Sequence, residues 1–329
     1  MASDAPLFPT NADVLDALRG YHPIIDMVIE YRQLTKLRST YVDGLLKVIA
    51  EDGRIHSTFK QMVTATGRLS SVNPNLQNIP VRQELGSELR HMFAAKDGCV
   101  LVDADYSQIE LRVLAHIADD QTMIDAFLSG ADIHAVTASQ VFHVPLEEVT
   151  PSMRRSSKAV NFGIVYGISA FSLANDIGVT VRQAGEYIDN YLSVYHGVRD
   201  YMERIKEQAK EDGYVCSMFG RRRYLPELKS KNFNIRSFGE RVALNTPIQG
   251  TAADIIKIAM VRVYKRLKKE QMHSRLILQV HDELILETPE NEIGQAQKIL
   301  KEEMEAACKL AVPLRADAAC GKDWYAAKG

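Results

Sequence analysis

Asp103 and Asp105 follow directly on the apolar run Cys99–Val102, which Gly98 precedes. An apolar run bounded by a turn residue predicts a buried strand. If extended backbone continues through both acids, their side chains share one face. Ser107 and Glu110 have the spacing of a capping box, and Ile109, Val113, Leu114 and Ile117 recur as on one helix face. A strand therefore runs into a carboxylate-bearing turn and then a helix, an edge suited to a hard cation with oxygen ligands. Acids are also common at such turns, so this stretch alone leaves a purely structural role open.

A second acidic group, Asp282 and Glu283, follows His281 between two apolar, β-prone runs that begin at Arg275 and end at Glu287. This predicts a hairpin with acids at its tip. Presenting Asp282 between buried strands is costly unless a cation sits opposite. Arg154, Lys158, Phe162 and Tyr166 are spaced by four. Each step on a helix advances about 400°, so the stripe drifts slowly and stays on one side. Two cations followed by two rings suit a nucleoside triphosphate, the cations on phosphates and the rings on sugar and base. Snorkelling basic side chains beside a buried aromatic pair would give the same pattern.

Two further stretches are rich in polar groups. Thr64–Pro80 carries Arg68 and Asn78 among hydroxyls and amides. It is either a loop held by its own side chains or a surface of donors for phosphates and groove edges. Arg221, Arg222, Arg223, Lys229, Lys231, Arg236 and Arg241 stand against only Glu227 and Glu240. Such a run is either a solvated loop or a local phosphate-binding surface on a chain whose formal net charge is −2.

The elements that must position these groups read as follows. Asn11 caps a short helix, Ala12–Leu18, and Pro23 starts a longer one reaching about Leu46. Arg54–Val63 alternates as a strand. Residues 119 to about 240 are almost wholly helical, with a hairpin-like element bracketed by Gly213 and Gly220. A long helix, Glu240–Lys269, carries Arg241, Asn245 and Gln249, with Pro247 and Gly250 suggesting a bend. A helix over Glu292–Lys309 and a closing strand between Val312 and Trp324 complete the pattern. At 329 residues the chain forms one large domain or two to three subdomains. No run approaches the ~20 apolar residues of a membrane span. The first residues lack the features of a signal peptide. Cys99, Cys216, Cys308 and Cys320 form no Cys-x-x-Cys pair, which favours free thiols in the cytoplasm over disulfides or zinc.

Taken together, the motifs resemble the family A DNA polymerases of the bacterial polymerase I type. Asp105-Tyr106-Ser107-Gln108-Ile109-Glu110 resembles the family's first motif, and Arg154, Lys158, Phe162-Gly163 and Tyr166-Gly167 resemble its second. His281-Asp282-Glu283 resembles its third, and Thr64–Pro80 and Thr246–Asp254 match connecting stretches. The resemblance covers nearly the whole chain. It implies an α+β right-hand fold with an antiparallel palm sheet and largely helical fingers. Residues 1–49 would be a thumb remnant, 50–118 and 240–329 the palm, and 119–239 the fingers. No proofreading or 5′-nuclease domain is expected within the chain.

The implied activity is DNA-directed DNA synthesis in replication and repair. Two Mg²⁺ ions, about 4 Å apart, would be held by Asp105, Asp282 and the Tyr106 carbonyl, with Mn²⁺ an expected substitute. Glu283 would support the catalytic acids, and Asp103 would be structural. Arg154 and Lys158 would bind the triphosphate of a deoxynucleotide, with His134 and Gln108 as further phosphate contacts. Phe162 would pack on the incoming sugar and base, Tyr166 would stack near the templating base, and Glu110 would exclude a 2′-hydroxyl. Arg68, Asn78, Arg241, Asn245, Gln249 and His281 would hold primer-template DNA through sequence-blind minor-groove contacts. A monomer with no membrane partner is expected. A single-subunit RNA polymerase sharing the palm, a reverse-transcribing variant and a non-catalytic primer-template binder are the alternatives.

Overall fold

Val100, Leu101, Val102 and Ala104 are all buried, so the strand that carries the first acids sits in the middle of a sheet. Burying a large apolar side chain contributes about 1.5–3 kcal/mol, and alternation along the strand decides which face each residue fills. The computed structural model describes residues 10–80 and 84–328. The chain divides into two units, one holding residues up to Phe59 with Ser71–Met92, the other Lys60–Ser70 with Phe93 onward.

In the first unit, Asn11 caps α1 (Ala12–Ala17) by accepting the Val14 N–H at 3.0 Å. Helix α2 (Pro23–Lys36) starts on its proline and passes through a π-helical segment, Leu37–Val42, into α3 (Asp43–Leu46). The strand expected over Arg54–Val63 shrinks to β1 (Thr58–Lys60). Asp52 accounts for the loss before Thr58: it accepts the Arg54 N–H at 3.1 Å and holds the His56 ring at 3.0 Å, fixing a turn instead. The other short elements are β2 (Ser70–Val72) and α4 (Glu84–Ser87). The buried Ser71 hydroxyl accepts the Leu76 N–H at 2.9 Å, so this loop is held by its own side chains.

The second unit holds β3 (Cys99–Tyr106), α5 (Ile109–Ala118), α6 (Gln121–Leu128), α7 (Ile133–Phe142) and α8 (Pro151–Val165). Helices α9 (Ala170–Ile177), α10 (Val181–Val194) and α11 (His196–Asp212) follow, then the hairpin β4 (Tyr214–Cys216) and β5 (Arg222–Tyr224), which opens after Gly213 as expected but runs past Gly220 to Tyr224. Helix α12 (Phe233–Lys269) begins seven residues before the expected Glu240, where Asn232 caps it, and stays helical through Pro247 and Gly250. Its residues Ile248, Ala252, Ile255, Ala259, Val263 and Leu267 form a buried stripe of helical period. The remaining elements are β6 (Arg275–Val280), β7 (Glu283–Pro289), α13 (Ile293–Glu305), β8 (Ala316–Gly321) and α14 (Trp324–Lys328).

The main sheet has the order β6-β7-β3-β8, with every neighbouring pair antiparallel. Register pairs Asp105 with Glu283 on one side and Asp317 on the other, and Ala104 with Leu284 and Ala318. Directly opposed residues share a face, so Asp103, Asp105, Glu283 and Asp317 project together. Val102, Ala104, Tyr106, Leu284 and Leu286 fill the other face and join the core beside α12 and α13. Among the described residues, no helix is long and apolar enough to cross a membrane.

Candidate active site

The two acidic motifs meet at the β3 and β7 ends. Val280 and Glu283 flank a two-residue turn in which His281 takes a left-handed conformation, φ 52°. The Tyr106 N–H donates to the Asp282 carbonyl at 3.1 Å, tying the turn to the end of β3. Burial pushes the Asp282 carboxyl up to about 7. The charges of Glu110 and Asp105 add to this, and those of Arg68 and Lys328 oppose it. Asp105 remains half-exposed at the mouth of a cleft of about 230 Å³ lined also by Asp103, Tyr106, Ser107, Asp317 and Lys328.

Glu283 is buried and fully engaged. It accepts the Trp324 indole N–H at 2.8 Å and the Lys328 ammonium at 2.6 Å. Burial alone would raise its pKa, but Lys328 and these hydrogen bonds hold it below the usual carboxylate range. Asp103 is pushed up to about 9 by burial and by the Glu283 charge beside it. Ionised, its oxygens meet no hydrogen-bond donor. Burial beside the charged Glu283 therefore favours the protonated form of Asp103.

A divalent cation fits this edge on two counts. Carboxylates and a backbone carbonyl are hard oxygen donors, and the ammonium of Lys328 already lies 2.9 Å from Asp105 as a cationic counterpart. Among the described residues no three acidic, histidine or cysteine side chains enclose an ion by themselves. Asp105, Asp282 and the Tyr106 carbonyl are the oxygen donors that would hold such an ion.

The turn after β3 departs from the capping-box expectation. Gln108, not Ser107, is the N-cap of α5; it adopts φ 56° and its side chain makes no capping bond. Glu110 turns instead to Arg68, 2.7 Å away, and accepts the Tyr166 hydroxyl at 3.0 Å. A guanidinium outcompetes a backbone N–H for a buried carboxylate because it brings a full opposite charge as well as the hydrogen bond. The charge of Arg68 also favours the ionised form of Asp282, and burial and Glu110 raise the Tyr166 hydroxyl above its ordinary value.

Helix α8 displays Arg154, Lys158 and Phe162 as spaced, but Tyr166 lies just beyond it. Gly167 (φ 65°) ends the helix, with its N–H on the Ile164 carbonyl at 3.0 Å and the Ile168 N–H on Gly163 at 2.8 Å. A Cβ on Gly167 would approach Arg241 Cγ to 3.1 Å and Leu244 Cδ1 to 3.2 Å, so α8 ends close against α12. Asn245 caps the same end, donating to the Val165 carbonyl at 3.2 Å, and Gln249 lies near enough to the Tyr166 hydroxyl to favour its ionised form. These two amides, expected on DNA, here buttress the α8 terminus. Arg241 is exposed, bonded to Ser237 at 3.1 Å, and His281 is exposed at the hairpin tip. Asn78 lies in the first unit, exposed, with its carbonyl accepting the Tyr41 hydroxyl.

His134 packs on Phe162 with ring centroids 5.8 Å apart. The Asn161 amide lies 3.0 Å from its Nδ1, which must therefore accept, leaving the proton on Nε2. Burial, with Lys158 and Arg154 nearby, lowers its pKa to about 4, so the ring is neutral at pH 7. Arg154 pairs with Asp132, the N-cap of α7, and that carboxyl is held below its ordinary range. Both side chains are substantially exposed, so the pair contributes about 1 kcal/mol or less and leaves Arg154 readily exchangeable. The basic run divides. Arg221 places two N–H groups on Asp254 and docks the hairpin on α12, whereas Arg222 lies over the Tyr214 ring at the surface.

Sequence reasoning missed Lys328, Trp324, Asp132 and Asn161. For the first two there was a faint signal: the chain's single tryptophan stands one helical turn before a lysine.

The description of DNA polymerase family A matches residues 3–326, and the chain belongs to that family. It is 54% identical to DNA polymerase I of Bacillus subtilis over 324 residues and 53% identical to that of Geobacillus stearothermophilus over 323. Each match covers 98% of this chain and 37% of the relative, so the chain spans little more than a third of their length. Among solved structures it resembles the POL domain of Pol1 from M. smegmatis in complex with DNA primer-template and dNTP. That likeness has a TM-score of 0.93 and 46% identity, covering 98% of this chain and 57% of that one. The expected α+β fold of the polymerase type, an antiparallel sheet with a mainly helical insertion, is the one observed.

Proposed function

We propose that this chain is the polymerizing part of a DNA-directed DNA polymerase, adding deoxynucleotides to a primer 3′ end in replication or repair. The observation that carries the reading is the meeting of Asp105 and Asp282, 177 positions apart (282 minus 105), at the adjoining ends of β3 and β7. Residues 50–118 and 240–329 would act as palm, 119–239 as fingers and 1–49 as the end of a thumb, in a cytoplasmic monomer.

Asp105, Asp282 and the Tyr106 carbonyl would hold two Mg²⁺ ions, or Mn²⁺. Bound there, the metal would acidify the primer hydroxyl and neutralise charge on the departing pyrophosphate. Arg154, released from Asp132, and Lys158 grip the triphosphate and stabilise charge moving to the leaving group. Neutral His134 donates its Nε2 proton to a phosphate oxygen, and Gln108 adds a contact from the β3–α5 turn. Phe162 packs on the sugar and base. Glu110, held by Arg68 and Tyr166, presents a fixed carboxylate edge against a 2′-hydroxyl. Tyr166 closes the templating side. Arg68, Arg241, Asn245, Gln249 and His281 would hold primer-template DNA, the amides of Asn245 and Gln249 after release from the α8 terminus, and Asn78 would add a contact from the first unit.

Asp105→Ala and Asp282→Ala are expected to lower primer extension in Mg²⁺ at least 10³-fold while leaving primer-template affinity within a few-fold. A near-normal extension rate in either variant would remove the metal assignment.

A further inference from the structure

Helix α14 brings one more charged group to the acid edge. Its docking is specific. The Trp324 N–H donates to the Phe93 carbonyl at 3.0 Å, the rings of Phe93 and Trp324 meet edge-on at 5.6 Å, and the indole N–H reaches Glu283. Gly321 allows the close approach, since a Cβ there would lie 2.5 Å from the Ala326 carbonyl carbon and the Ala327 nitrogen. Lys328, one helical turn after Trp324, is thereby delivered to the acids. Its Nζ lies 2.6 Å from Glu283 Oε2, 2.9 Å from Asp105 Oδ2 and 3.8 Å from Asp103 Oδ2.

We propose that Lys328 is a resident cation of the active site, a positioning residue that balances Asp105 and Glu283 without metal and competes with the divalent ion for Asp105. The inference rests on the reading of Asp105 as a metal ligand. Its physical basis is charge. Three carboxyls surround one ammonium, and Asp317 lines the same cleft. An ammonium on one Asp105 oxygen draws off the charge that a dication needs and repels the dication directly. Lys328 already donates to Glu283, its shorter contact, so it can give up Asp105 and keep that bond. The chain thus sets its own metal requirement through the last turn of α14.

The test is Mn²⁺ binding to the full chain without DNA or nucleotide, with free Mn²⁺ read by electron paramagnetic resonance. Removing one unit charge several ångströms from a dication in a water-like dielectric is expected to tighten binding about tenfold in Lys328→Met and Lys328→Gln. Lys328→Arg, which keeps the charge, is expected to stay within about twofold. Unchanged or weaker binding in the two neutral variants would overturn the proposal. Asp105→Asn separates the two levels of argument. If it abolishes binding while the neutral variants match the wild type, Lys328 falls and the metal site stands. If Asp105→Asn binds Mn²⁺ normally, both fall.

A second measurement uses the unmodified protein and needs no variant to fold. Acylation of Lys328 by an N-hydroxysuccinimide ester, followed by mass spectrometry, should rise several-fold when Mg²⁺ is added. The exposed Lys322 serves as internal reference. Equal labelling of Lys328 with and without Mg²⁺ would equally overturn the proposal.

Discussion

Arg68→Ala tests the electrostatic frame of the site more directly than removal of an acid does. Arg68 sits 2.7 Å from Glu110, whose side chain is only 6% exposed, and its charge also acts on Asp282. Removing one partner of a fully buried pair costs about 3–5 kcal/mol, because a bare charge is left in a poor solvent. Arg68 itself is 30% exposed, so water can reach part of the vacated space, and Tyr166 still donates to Glu110. These two facts bring the expected loss to about 2 kcal/mol, roughly thirtyfold in the folding constant.

The control is Glu110→Gln, which keeps the shape and removes the charge. In that background Arg68→Ala should cost less than about 1 kcal/mol, the remainder coming from Asp282, so the coupling is about 1–1.5 kcal/mol. The assay is urea denaturation in metal-free buffer at pH 7. Trp324, the single tryptophan and fully buried, reports through its fluorescence on the unit that contains Arg68, Glu110 and Asp282. A loss below about 0.5 kcal/mol, or an equal loss in both backgrounds, would show that Arg68 and Glu110 are neighbours without mutual dependence.

Two other outcomes are expected. Glu110→Ala should raise ribonucleotide incorporation at least tenfold relative to deoxynucleotides in single-nucleotide primer extension; unchanged selectivity would leave Glu110 only its bonds to Arg68 and Tyr166. Glu292 accepts the backbone N–H groups of His273 and Ser274 and the Ser274 hydroxyl, which hold its carboxyl at about 2. Because this pKa is depressed on folding, its stabilisation is complete above the unfolded value, near 4.3, and is lost as pH falls toward 2. With allowance for solvent at the rim, the loss is about 1–2 kcal/mol. Glu292→Gln should therefore cost stability at pH 7 and little at pH 2.5 in denaturation experiments, and an equal cost at both would refute the titration argument.

The acids were legible in the sequence because strand periodicity is local. An apolar run followed by Asp103 and Asp105 fixes which face both occupy, and two β-prone runs around Asp282 fix a hairpin tip. The stripe of α8 was legible as far as Phe162. Its last member was misplaced because the spacing by four continues past the point where Gly167 and Ile168 close the helix, although Gly167 itself marked that end. The capping box failed for a different reason. Ser107 and Glu110 satisfy a local rule, but a charge from Arg68, 42 positions earlier, overrides it. Lys328 meets Asp105 across 223 positions, and only the docking of α14 on β8 determines that contact. Short-range periodicity therefore places the carboxylates, whereas their ionisation is set by burial and by neighbouring charges that only the tertiary fold supplies. A substitution that keeps every motif but lifts α14 or Arg68 away would leave the sequence pattern intact and change the charge state on which the chemistry depends.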